Sequence, residues 1–190
     1  AETFSQIHAE VDRLDRLVDD LQELSRVEAR AYRLEIRLVD VPALVQTVTK
    51  RLAPQAETKR INLDIELPPQ LPLILADENR AVQVLTNLIG NALQYTPDGG
   101  RVTIAAKRLD DEVQISVYDT GIGIPSEHLP HIFDRFYRVD KSRSRRAGGG
   151  SGIGLTIARA LVEAQGGRMW AESAGEGKGC TFSFTLKIAS

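Results

Sequence analysis

Cysteine is all but missing from this chain: Cys180 stands alone, so no intramolecular disulfide and no cysteine-based metal cluster can form. That usage suits a reducing, cytoplasmic setting. Long apolar runs are missing too. None approaches the roughly 18 to 20 residues a helix needs to span a bilayer, and the first residues are polar instead of a basic-then-apolar signal. Neither sign of charge is in excess: 24 Lys and Arg against 26 Asp and Glu leave a formal charge of -2 and a pI near 6.0. Nothing global therefore favours nucleic acid or an anionic membrane as partner. The expectation is a cytoplasmic domain that contacts no nucleic acid, with a membrane-anchored parent left open. Any anionic ligand must be argued from local clusters.

What is present begins with a helical stripe. From Ile7, apolar residues recur at Val11, Leu14, Val18 and Leu21, at alternating spacings of four and three, and Leu17 and Leu24 widen the stripe. That is the seam of a coiled coil or helical bundle. One such helix cannot bury its own face, so a partner is implied, from upstream sequence, a second copy or the following domain. The chain begins inside this pattern and so reads as part of something longer. After Ala31, YRLEIRLVDVP reads as an extended connector, before a helix near Pro42 whose Leu44, Val45, Val48 and Leu52 face inward.

Further on, INLDIEL alternates as a strand, PPQLP turns, LILA is a short strand, and Glu78 to Leu93 returns to helical spacing. TPDGG breaks the chain. RVTIAAK and EVQISVY follow as an antiparallel hairpin turning at Asp110 and Asp111. A helix after the glycine run stops at Gly166 and Gly167, and Met169 to Ser173 and Thr181 to Ile188 supply two more strands. Helices interspersed with a largely antiparallel sheet predict an α+β two-layer sandwich, not a doubly wound α/β domain.

The glycine run AGGGSGIGLT, from Ala147, suggests a phosphate loop, but neither common type fits. A P-loop needs Lys followed by Ser or Thr where this chain has GIGLT, and a dinucleotide fingerprint needs a buried strand and GxGxxG where KSRSRRA precedes GxGxG. What remains is close backbone approach and unpaired N–H groups at the start of a helix near Leu155, a place for an anion; a ligand-free surface hinge stays open on this stretch alone.

Three other segments narrow the choice. Asn87 and Asn91 lie four apart, on one helical face, where carboxamide oxygens suit Mg²⁺. In DTGIGIP, Asp119 ends a strand beside a turn opened by Gly121 and Gly123, and its partly buried carboxylate needs donors such as a purine amine. In IFDRFYRVDKSRSRR, aromatic residues alternate with Arg135, Arg138, Lys141, Arg143, Arg145 and Arg146, a patch able to grip a triphosphate. Each has a plain alternative: a polar helix face, a capped turn, a solvated surface.

Taken in order, NLIGNALQYTPDGG, DTGIGIP, IFDRFYRVDKSRSR and GGGSGIGLTIARALVEAQGG resemble the N, G1, F and G2 boxes of two-component sensor histidine kinases. The resemblance runs from about Pro42 to the C-terminus, and the ELSRVE helix is similar to the second helix of that family's dimerisation bundle. It implies residues 1–31 as part of that bundle, 32–41 as linker and 42–190 as a catalytic domain with the Bergerat ATP-binding fold, in which a mobile lid covers ATP on a mixed sheet. Asn91 would coordinate Mg²⁺, with Asn87 beside it near the phosphates. Asp119 would take the adenine amine, Gly121 and Gly123 would admit the nucleotide, and Gln94, Tyr95, Ile124, Phe133, Tyr137 and Leu155 would contribute to the pocket. Arg138 and Arg143 would neutralise the triphosphate with Lys141, and Gly150, Ser151, Gly152 and Gly154 would close the lid's far end.

One position departs from the family: Gln94 stands where a lysine is common, and an amide cannot replace that charge. Arg138, Lys141 or Arg143 is expected to compensate. Related Bergerat-fold ATPases, such as gyrase, mismatch-repair proteins and the heat-shock chaperone, carry a Glu base four residues before the metal-binding Asn. Here Asn87 occupies that place, so hydrolysis should be slow. The resemblance instead implies γ-phosphoryl transfer to a histidine on a dimerisation helix, then to a response-regulator aspartate, in a homodimeric parent. The chain has no H-E-x-x-x-P motif, and His8, His128 and His131 have the wrong flanks, so the acceptor is expected upstream of Ala1. A non-catalytic ATP-binding scaffold and a Bergerat-fold ATPase remain as alternatives.

Overall fold

The computed structural model describes residues 11, 18–19, 21–26, 33–139 and 152–189. The amphipathic stripe falls largely outside these. Within it, residues 21–26 are helical, and Leu24 is buried while Val11, Val18 and Leu21 stand exposed. Beside Leu24, Glu23 meets Arg80 at 2.5 Å.

The expected connector is a strand, β1 (Ile36–Val39), antiparallel to β3 (Ile74–Asp77) in a small two-stranded sheet. Helix α1 (Val41–Thr58) starts there because Asp40 accepts from the Ala43 N–H at 3.1 Å and Pro42 occupies the first turn, where no N–H is needed. Leu44, Val45, Val48 and Leu52 all face inward. Helix α2 (Glu78–Tyr95) is capped likewise by Asp77, bonded to Arg80 N at 3.2 Å, and runs two residues past the predicted end.

The main sheet has the order β2-β4-β5-β7-β6, from β2 (Asn62–Glu66), β4 (Arg101–Leu109), β5 (Glu112–Asp119), β7 (Cys180–Lys187) and β6 (Met169–Glu172). The β4–β5 hairpin pairs antiparallel as expected, whereas β2 adds to β4 in parallel, which makes the sheet mixed. Alternation places Val113, Ile115 and Val117 of β5 and Phe182, Phe184 and Leu186 of β7 in one buried cluster with the inner faces of α1, α2 and helix α3 (Gly154–Ala164). Burying each such side chain contributes about 1.5–3 kcal/mol. The other face of the sheet is polar: Ser116 and Ser183, both buried, share a hydrogen bond at 2.8 Å. This is the α+β two-layer sandwich, with α2, α3 and the end of β5 converging at one edge.

Candidate functional site

At that edge lies a cavity of about 560 Å³. Nine of the residues expected to serve a nucleotide line it: Asn91, Gln94 and Tyr95 from α2, Asp119 from the end of β5, Gly123 and Ile124 from the following turn, Tyr137 and Arg138 from the basic segment, and Leu155 from α3. Strand β5 carries Asp119 in because its preceding residues are locked in register with β7, Asp119 itself facing Cys180.

Asp119 is held from one side. Its Oδ1 accepts from Gly121 N at 2.8 Å and from Cys180 N at 3.2 Å, while Oδ2 takes no hydrogen bond from any described residue. Burial pushes the carboxyl above its ordinary value of 3.8, against the two backbone donations, which lower it. Cys180 beside it is pushed up to about 12 by burial and by the Asp119 charge, partly offset by a hydrogen bond with Ser173. It is a neutral thiol wall, not a nucleophile.

The turn after Asp119 is built for close approach. A Cβ on Gly121 would stand 2.6 Å from Asp119 Oδ1 and 2.7 Å from the Tyr95 carbonyl oxygen; one on Gly123, which has φ +70°, would stand 2.0 Å from the Gly175 oxygen. Only glycine fits both. The turn is pinned from two directions: Ile122 N donates to Tyr95 O at 3.2 Å, and Gly177 N to Ile122 O at 2.7 Å.

The basic side is left open. Arg138 Nε and Nη2 are buried and have no hydrogen-bond partner among the described residues. Such groups rarely lack a partner in a folded protein, because leaving a buried N–H unpaired is costly. Gln94 Nε2 and Thr96 Oγ1, at the same cavity, are also buried without partners among the described residues. Asn91 makes no hydrogen bond to a described residue, which leaves its carboxamide oxygen free. Among the described residues no cluster of three or more His, Cys, Asp or Glu exists for a metal; a Mg²⁺ ion that keeps several waters and takes phosphate oxygens needs only one such protein ligand.

Several expected residues lie behind the lining. Asn87 donates from Nδ2 to the Gly154 carbonyl at 3.0 Å and so ties α2 to the start of α3. Gly121 stands outside the lining, next to Asp119. Phe133 packs edge-on against Phe182 at 6.5 Å, and its carbonyl accepts from Thr156 Oγ1 at 2.9 Å. Gly152 accepts from Phe136 N at 3.0 Å, so the aromatic segment is fastened to the end of the glycine run. Tyr137 OH meets His128 Nδ1 at 2.6 Å. No described side chain caps the start of helix α3. Lys141, Arg143, Gly150 and Ser151 lie outside the described residues. Sequence reasoning missed Lys59, Thr96, His128, Cys180 and Phe182 as lining. Phe182 was legible as an inward position on its strand; the others carry no local signal.

Known proteins share this fold. A family model, "Histidine kinase-, DNA gyrase B-, and HSP90-like ATPase", matches residues 76–190. The chain is 40% identical to the sensor histidine kinase WalK of Bacillus subtilis (strain 168), over 93% of this chain and 29% of WalK. It spans less than half the length of the curated relatives compared. Among solved structures, full-length ShkA in complex with AMPPNP superposes with a TM-score of 0.85 at 33% identity, covering 100% of this chain and 40% of that one. The histidine kinase ThkA in complex with the response regulator protein TrrA gives 0.79 at 25% identity, covering 100% and 51%.

Proposed function

The chain belongs to the histidine kinase-, DNA gyrase B- and HSP90-like ATPase family, as the ATP-binding catalytic domain of a sensor histidine kinase; from that premise we propose that it presents the γ-phosphoryl of Mg²⁺-bound ATP to an outside histidine. The observation that carries this is Arg138 at the cavity, whose buried Nε and Nη2 have no hydrogen-bond partner among the described residues and can donate to phosphate oxygens.

In this reading the free Oδ2 of Asp119 accepts from the adenine amine, and the Gly121–Gly123 turn lets the ring approach the backbone. Arg138, with Arg143 and Lys141 from the lid, neutralises the triphosphate, and this also supplies the charge that Gln94 lacks. The start of α3, which no described side chain caps, adds N–H groups at its positive end. Asn91 holds Mg²⁺, which when bound spreads the charge developing on the phosphates. Asn87, engaged with Gly154, sets the distance between α2 and α3. No carboxylate stands at position 87 to activate water, so positioning and charge neutralisation favour transfer over hydrolysis.

The acceptor is a histidine on a dimerisation helix, in a homodimeric parent whose cognate response-regulator receiver domain takes the phosphoryl next. Residues 1–31 act as part of the dimerisation bundle, 32–41 as linker and 42–190 as the catalytic domain. This domain acts on the cytoplasmic side, with a membrane-anchored parent left open; among the described residues no helix is long and apolar enough to cross a membrane.

The test mixes this chain with γ-labelled ATP, Mg²⁺ and a separate helical domain bearing the acceptor histidine. Acid-labile label should appear on the added domain and none on this chain, with slow phosphate release when the acceptor is left out. A stable phosphohistidine on this chain would refute the outside-acceptor reading. Rapid turnover without acceptor favours the ATPase alternative, and tight ATP binding without transfer the scaffold.

A further inference from the structure

The carbonyl end of α2 has no basic residue in its last turn, yet it is not bare. Lys59, the residue that closes α1, donates from Nζ to Leu93 O at 2.6 Å, Gln94 O at 3.2 Å and Thr96 O at 2.6 Å. An ammonium has three donors, and here all three are engaged. Its charge sits at the negative end of the α2 dipole, where a cation is stabilising. Lys59 is itself anchored, its carbonyl accepting from Gly99 N at 3.0 Å.

The turn that it grips is the one from which Gln94, Tyr95 and Thr96 line the cavity, and Lys59 lines the cavity beside them. The same turn supports the far wall, because the Tyr95 carbonyl takes the Ile122 N–H next to Asp119. Arg138 offers the contrast: it is a cation at the same cavity with two donor nitrogens that no described residue engages.

We infer that Lys59 is a positioning residue for the nucleotide site, fixing the C-terminal turn of α2 and, through Tyr95, the turn beside Asp119, without touching the phosphates. The inference rests on reading the cavity as an ATP site. Because its donors are used on backbone, its loss should disturb the nucleoside end and the whole nucleotide alike, whereas loss of a phosphate ligand would be felt by ATP alone.

The experiment measures the affinities of the 190-residue chain for ATP and for adenosine, with thermal unfolding alongside. Lys59→Met keeps the stem and removes the charge and donors; it should weaken both ligands by the same factor, on the order of tenfold. Lys59→Arg keeps the charge on a planar fork that cannot fan three donors from one nitrogen to three carbonyls; it should weaken both equally by about threefold, and it decides the matter if the Met variant does not fold. Weakened ATP with unchanged adenosine would make Lys59 a phosphate ligand and overturn the inference. A lowered unfolding midpoint with both affinities unchanged would reduce Lys59 to a structural cap and overturn it too. Failure of the unaltered chain to bind ATP would instead sink the reading of the cavity, whatever the variants do.

Discussion

Around Asp119 the surroundings are already tied together, with Gly121 N and Cys180 N on one carboxylate oxygen and Ile122 N on the Tyr95 carbonyl. Around Arg138 they are not: two buried guanidinium nitrogens have no partner among the described residues, and the segment that follows, 140–151, lies outside these. One end of the cavity is a finished mould whose hydrogen bonds exist before the ligand arrives, so little ordering is needed there on binding. The other holds a cation whose stabilisation depends on what enters. Shape selectivity should therefore reside at Asp119, and charge selectivity at Arg138.

The largest effect should come from dismantling the mould. Asp119→Ala removes the acceptor of two backbone N–H groups together with the free oxygen; since hydrogen bonds to charged groups are worth about 1.5–3 kcal/mol, ATP and adenosine should both bind about a hundredfold more weakly by titration calorimetry. An unchanged adenosine affinity would remove Asp119 from the nucleoside end.

Arg138→Met should act on the other side only. ATP affinity should drop about tenfold, in line with the loss of a charge-assisted contact, while adenosine binding stays as it was. Equal losses for both ligands would erase the proposed division between the two ends.

A smaller effect should follow pH. The Asp119 carboxyl titrates above its ordinary 3.8 because burial disfavours its charge. The folded state therefore holds this proton to higher pH than the unfolded chain does. The stabilisation by protonation is complete below 3.8 and is lost as pH rises through the raised value. Adenosine binding runs the opposite way, since the acceptor must be ionised. Its affinity should fall on acidification from a pH above that of an ordinary carboxylate, and Asp119→Asn should flatten both profiles; a profile unchanged by that substitution would detach the titration from this residue.

Much of this was legible in local pattern. The inward stripe of α1, the β4–β5 hairpin, and the order of Asn91, Asp119 and Arg138 before the glycines can all be read from spacing and residue chemistry. The YRLEIRLVDVP connector could be read only as extended, because pairing of Ile36–Val39 with Ile74–Asp77 depends on a partner more than thirty residues away. Asn87 shows a subtler limit: its helical spacing set it on one face with Asn91, and the family resemblance set it near the phosphates, but only the packing of α3 on α2 directs its amide nitrogen to Gly154. Lys59 carried no signal, being one charge at the end of one helix until the end of another came within reach.

By itself the sequence determined which chemical groups the site contains and their order along the chain, because periodicity, caps and glycine turns act over a few residues. Only the tertiary structure decided which of those groups are already engaged and which await a ligand. The physical reason is that a buried polar atom's partner is chosen by what packs against it across the fold: Lys59 has all its donors engaged at α2, and Arg138 keeps two of its nitrogens without a partner among the described residues.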